Sequence, residues 1–165
     1  MTKIRANSFS IHVASDVEFS AATALQTMVL SKHYGFLVDK EVEKHAKRVV
    51  NIVAVDLHKK NVVGTIRVVD LGNRIANLSR MVTHPDYCGH GLGIKLVEYG
   101  ERFIATSPGF SHCKYIKIST KPEMLDYYKD LGYLSSADAT KASKIPYHSM
   151  YKRIFRGPPA YNHKL

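Results

Sequence analysis

The stretch "NLSRMVTHPDYCGHGLGIKLVEYGERFI", residues 77–104, places three glycines in five positions, Gly89, Gly91 and Gly93. An apolar, β-branched run leads in and an amphipathic helix pattern leads out. Glycine costs about 1 kcal/mol against alanine in a helix interior. A helix that opens on glycines therefore needs bare backbone at its start. The first turn of a helix carries free N–H groups and a partial positive charge, and glycine lets a phosphate approach them closely. A plain turn would need one glycine and not three. The feature demands a strand that delivers the chain to an anion-binding loop, and a helix that starts there.

The spacing excludes two common versions of that device. A Walker loop requires GxxxxGK[ST], which does not occur. A dinucleotide fingerprint requires GxGxxG, but Gly89 and Gly91 are followed by Ile94, and Gly91 and Gly93 by Leu96. Composition narrows the class further. With 165 residues, 45% of them hydrophobic, the chain suits one domain. No apolar run approaches the roughly 20 residues that cross a bilayer, and the first residues, "MTKIRANSFSIHV", lack a signal-peptide core. The two cysteines, Cys88 and Cys113, form no CxxC pair and no zinc-type spacing with histidine. A cytoplasmic protein without a metal is expected. The formal net charge of +10 favours anionic partners.

Along the chain, "FSIHV" alternates as a short strand, and Asp16 is placed to cap a helix on which Phe19, Ala22, Leu25, Met28 and Val29 recur at helical spacing. A second helix is expected over residues 40–48. The Val- and Ile-rich segments 49–57 and 61–71, joined by the polar "HKKN", predict a hairpin. A third strand runs over 75–84 to Pro85. The helix after the glycines carries Leu92, Leu96, Val97, Phe103 and Ile104 on one side. A strand at "KYIKIST", a helix with Pro122 in its first turn and Gly132 as its stop, and a last strand at "YHSMYKRIF" follow. The fold class is α+β: a mixed, mostly antiparallel sheet flanked by helices. Residues 1–155 form the domain and 156–165 a tail.

The run "MVTHPDYCGHGLGIKL" resembles the pyrophosphate loop of the GNAT (GCN5-related) N-acetyltransferases, Arg/Gln-x-x-Gly-x-Gly/Ala, with Gly91 and Gly93 in register and Cys88 in place of the first residue. "YIKISTKPEMLDYYKDLGYL" resembles that superfamily's later strand and helix, with Tyr128 on its tyrosine position and Lys121 where relatives often carry Asn. The similarity extends from about residue 20 to residue 155. It implies splayed central strands, acetyl-CoA as donor, and coenzyme A as product. The backbone of Gly89, His90, Gly91, Leu92, Gly93 and Ile94 would then hold the pyrophosphate. Met81, Val82 and Thr83 would hold the pantetheine arm beside Lys121, and Tyr128 would protonate the departing sulfur, with Tyr127 as fallback. The general base stays open among His84, Glu98, His148 and ordered water, because Ser79 stands where some relatives place a catalytic glutamate.

In this fold the opening helices and the "KHYGF" corner containing Tyr34 would wall the acceptor. Arg67 and Arg80 stand out in apolar strands, and arginine suits phosphate bidentately. With the net charge, they point to a small, anionic primary amine such as glucosamine 6-phosphate. Protein or peptide amines are the alternative acceptor. A basic nucleic-acid-binding module is the alternative from another class, opposed by scattered lysines and the absence of tryptophan. The resemblance also allows a homodimer, with the Tyr161-bearing tail crossing to the partner.

Overall fold

The computed structural model describes residues 8–30, 46–140 and 147–156. Seven strands form one sheet in the order β1-β2-β3-β4-β5-β7-β6. They are β1 Phe9–Val13, β2 Arg48–Asp56, β3 Asn61–Asp70, β4 Ile75–Thr83, β5 Tyr115–Thr120, β6 Leu134–Thr140 and β7 Tyr147–Arg153. All neighbours are antiparallel except β4 and β5. Among the described residues the α-helices are α1 Asp16–Leu30, α2 Leu92–Thr106 and the short α3 Leu125–Asp130. The expected α+β class holds. The second helix expected over 40–48 lies outside the described residues up to 45, and Arg48 opens β2 instead.

Local chemistry sets the joints. Asp56 Oδ1 accepts from the N–H groups of His58 and Lys59 at 2.8 and 3.1 Å, turning the chain between β2 and β3. α1 starts differently from expectation. Ser15 caps it, not Asp16: Glu18 N–H donates to Ser15 Oγ at 3.3 Å, and Ser15 N–H donates to Glu18 Oε1 at 3.0 Å. This reciprocal box satisfies two orphan donors at once, which a lone aspartate cannot do. On the same helix Phe19 and Met28, expected inside, are exposed, whereas Gln26 is fully buried.

β3 is buried on both faces. Thr65 and Arg67 meet Gln26 of α1. On the other face, a methyl placed at Gly64 would lie 3.0 Å from Leu96, and one at Gly100 would lie 2.9 Å from Leu78. Glycine at both positions lets α2 sit close on β3 and β4. The core on that side is filled by Ile66, Leu78, Leu96, Ile104 and Phe110. β6 was not expected from the sequence. Its residues "LSSADAT" have little β propensity, and the strand exists by pairing with β7 at the sheet edge.

Candidate active site

The site begins where two strands part. β4 and β5 pair from Ile75 with Tyr115 to Leu78 with Ile118 and no further. Beyond that pair β5 stays with β7, through Ser119 with Ser149 and Thr120 with His148. β4 stays with β3, but with an extra residue: Thr65 faces Val82 while Arg67 faces Ser79. The bulge puts Arg80 at φ 49, a left-handed conformation that a non-glycine residue adopts only where its surroundings enforce it. The result is a cleft of about 330 Å³ whose lining includes Asn77, Arg80, Met81, Val82, Lys121 and Tyr128. On the β5 side, residues 79–83 present backbone with no strand partner among the described residues.

At the end of β4, Pro85 forces a corner. His84 Nδ1 accepts from Asp86 N–H at 3.1 Å, and the Tyr87 hydroxyl donates to buried Asp56 Oδ2 at 2.5 Å. That bond is the main reason the Asp56 carboxyl lies below its usual range, and it pushes the Tyr87 phenol up to about 12. The anchored corner aims the glycine loop. Gly89 and Gly91 take φ 83 and 74, and a methyl on either would meet no atom within 4 Å. Gly91 is the N-cap of α2 and offers no side chain to its amides. The first ladder bond runs from Lys95 N–H to Gly91 C=O at 3.3 Å. The N–H groups of Leu92, Gly93 and Ile94 therefore precede the ladder and face an open approach. The first turn holds no acidic residue that would compete for them. This cradle fits a diphosphate.

Cradle and cleft are continuous. A methyl on Gly93 would lie 3.5 Å from Met81 Sδ and 3.7 Å from the Tyr127 hydroxyl. Tyr128 is 7% exposed, with its ring edge-on to Tyr127 and Tyr133 at centroid distances of 5.1 and 5.9 Å. Burial, helped by Tyr127, pushes its phenol up to about 12. Burial and then Glu98 also raise Tyr127.

The structure thus brings together Met81, Val82, Arg80, Lys121, Tyr128 and the glycine loop with its exposed His90. It places four other candidates elsewhere. His84 uses Nδ1 to hold the corner. Glu98 is exposed on α2, in a groove with Arg102 and Lys152. His148 sits half-buried in β7 and does not line the cleft. Arg67 is buried between strands and α1, donating from Nε to Asn51 Oδ1 at 3.2 Å and from Nη2 to Gln26 Oε1 at 3.4 Å. Its reach toward an acceptor is replaced by a buried polar network, because Asn51 is its direct cross-strand partner. Tyr34 lies outside the described residues. One residue escaped the sequence reading: Asn77 lines the cleft, and its buried Oδ1 has no hydrogen-bond partner among the described residues. The signal was a lone amide between Ala76 and Leu78.

A family model described as an acetyltransferase (GNAT) domain matches residues 47–134. No curated protein matches the chain significantly. Among solved structures, a candidate N-acetyltransferase from Lactobacillus plantarum is similar at 24% identity and TM-score 0.73, covering 90% of this chain and 100% of its own. An aminoglycoside 6'-N-acetyltransferase complexed with coenzyme A is similar at 18% identity and TM-score 0.67, over 90% and 99% of the two chains. A spermidine N-acetyltransferase variant from Vibrio cholerae is similar at 13% identity and TM-score 0.65, over 88% and 94%. At these identities the likeness is one of fold.

Proposed function

The chain belongs to the GNAT acetyltransferase family and is an acetyl-CoA-dependent N-acetyltransferase, and we propose that it acetylates the primary amine of a small, anionic acceptor. The observation that carries this reading is the parting of β4 from β5 at Leu78 and Ile118, with the open start of α2 beside it. Acetyl-CoA, when bound, supplies an acetyl group activated as a thioester. The amides of Leu92, Gly93 and Ile94, reached past Gly89, His90 and Gly91, hold the diphosphate. The backbone of Met81, Val82 and Thr83, which has no strand partner on the β5 side among the described residues, would bind the pantetheine arm and would offer an N–H to the thioester oxygen. Lys121 flanks the arm. Tyr128 keeps its proton at neutral pH and gives it to the leaving sulfur. With His84, Glu98 and His148 outside the cleft, the acceptor ammonium loses its proton to solvent along the polar edge of Asn77, Ser79 and Ser119.

Charge supports an anionic acceptor over a polyamine. Arg80 and Lys121 line the cleft, no carboxylate does so among the described residues, and the whole chain is +10. A phosphorylated amino sugar such as glucosamine 6-phosphate suits these cations, with Arg80 taking the part that the sequence divided between Arg67 and Arg80. Thiol release from acetyl-CoA, followed with glucosamine 6-phosphate and with glucosamine, tests this. A charge-assisted phosphate contact is expected to raise kcat/KM about tenfold or more. Equal values remove phosphate recognition, and turnover of peptides alone moves the acceptor to a protein amine.

We keep the domain as residues 1–155 with a tail from 156, and the first tail residue is held to the domain. Arg156, placed at the head of the tail, donates to the carbonyls of Ile104 at 3.3 Å and Phe110 at 2.7 Å and to that of Cys113. A homodimer in a reducing, cytoplasmic setting completes the proposal. Both cysteines are free, and no helix among the described residues is long and apolar enough to cross a membrane.

A further inference from the structure

We propose that Asp70, His112 and Cys113 form a zinc-binding site at the end of the sheet opposite the cleft. Asp70 ends β3, and His112 and Cys113 precede β5, so 42 residues of sequence separate chemistry that the fold brings together. One ligand atom from each residue lies within 4.8 Å of the other two. His112 Nε2 is 2.8 Å from Asp70 Oδ2 and 3.6 Å from Cys113 Sγ. Tetrahedral zinc, with Zn–N near 2.0 Å and Zn–S near 2.3 Å, places N and S about 3.5 Å apart and N and O about 3.3 Å apart. The N–S spacing is already in place, and the N–O pair opens by about half an ångström when the metal replaces the shared proton.

The frame around the donors is fixed. Asp70 is 3% exposed and Cys113 is 0% exposed, whereas His112 reaches solvent and marks the side from which a metal arrives. Asp70 Oδ1 accepts from Gly72 N–H at 2.9 Å, which turns Oδ2 toward the imidazole. Cys113 N–H donates to Phe110 C=O at 3.0 Å, and the Arg156 guanidinium holds the Cys113 carbonyl. Lys114 N–H bonds Arg74 C=O at 2.7 Å, tying the two ligand-bearing loops together. Thiolate, imidazole and carboxylate form a set that suits zinc and excludes hard cations such as Mg²⁺ and Ca²⁺. Binding displaces the thiol proton to solvent, and a water fills the fourth position. One thiolate, one carboxylate and Zn²⁺ sum to zero charge, a balance that the neighbouring Arg156 does not upset. The site staples β3 to β5 across the start of β4. At 3.3 Å per residue it lies about 20 Å from Met81, and no step of acetyl transfer depends on it.

The test uses the full chain, freed of metal by chelation, given one equivalent of Zn²⁺ or Co²⁺ and desalted. About one equivalent of zinc is expected to remain by atomic emission. Cobalt is expected to give a thiolate charge-transfer band in the near ultraviolet and visible bands of tetrahedral type. Both are lost in His112→Ala, an exposed substitution that leaves the fold in place by circular dichroism, and both persist in Cys88→Ser. A folded wild-type chain that retains no zinc and shows no thiolate band overturns the proposal. So does retention that His112→Ala leaves unchanged or that Cys88→Ser abolishes.

Discussion

Leu78 and Ile118 are the last residues that β4 and β5 share as a pair, and their side chains close the floor of the cleft. One step beyond them the two strands follow different partners. Gly100 opposite Leu78 keeps α2 tight against β4 at this point, so the parting is held from below by close packing. Met81 and Tyr128 line that cavity, and Gly93 at the head of α2 packs against Met81.

Tyr128 separates chemistry from packing. In Tyr128→Phe the ring stays against Tyr127 and Tyr133, so the melting temperature is expected to change little. On the proposed mechanism, loss of the phenolic proton is expected to lower kcat by about 10²- to 10⁴-fold with KM for acetyl-CoA nearly constant. The wild-type phenol, pushed up to about 12, keeps its proton throughout the neutral range. The kcat profile is therefore expected to show no falling limb from this group below about pH 11. Steady-state kinetics across pH check both statements.

Two neighbouring glycines divide conformation from space. Gly91 sits at φ 74, and Gly91→Ala is expected to cost about 1–2 kcal/mol through left-handed strain and to weaken coenzyme A binding by shifting the amides. Gly93 has ordinary helical backbone, and its added methyl meets Met81 at van der Waals distance. Gly93→Ala is expected to keep or raise stability, by up to about 1 kcal/mol. Urea melts and calorimetric titration of coenzyme A distinguish the two.

The arginines part ways as well. Arg67→Ala removes the guanidinium that bridges Asn51 and Gln26 and leaves two buried amides short of a partner. A loss of about 2–4 kcal/mol is expected, with no selective loss of phosphorylated acceptors. Arg80→Lys keeps the charge, and Arg80→Ala is expected to raise KM for glucosamine 6-phosphate while leaving glucosamine unchanged. Parallel melts and acceptor kinetics measure this.

The corner before the loop has its own pH signature. Asp56 is lowered by its bond from Tyr87, so its contribution is complete above the ordinary aspartate range and fades as pH falls through its folded value. Tyr87 is raised to about 12, so its contribution is complete below pH 10 and fades as pH rises toward 12. Tyr87→Phe is expected to cost about 1.5–3 kcal/mol between pH 5 and pH 10 and progressively less at either extreme. Stability curves of both proteins across pH check the window.

Much of the frame was readable in the residues. The Val- and Ile-rich hairpin, the strand ending at Pro85 and the helix opening on glycine carry strong local signals, and all appear within a residue or two of expectation. β6 did not, because an edge strand of small and polar residues owes its shape to β7. The cradle was readable because backbone amides at a helix start depend on local sequence alone. That Arg67, His84 and Glu98 do not line the cleft was not readable, for the opposite reason. Which face a strand residue takes, and which nitrogen a histidine spends on a cap, are settled by neighbours far away in the chain. Asp70 with His112 and Cys113 escaped for the same reason.

Titrating coenzyme A into the purified chain by calorimetry, with a thermal melt alongside, tests the account most directly. One-to-one binding is expected, with stabilisation of about 2.7 kcal/mol at a hundred times Kd, and both weakened in Gly91→Ala. No heat and an unmoved melting temperature at millimolar coenzyme A would contradict it.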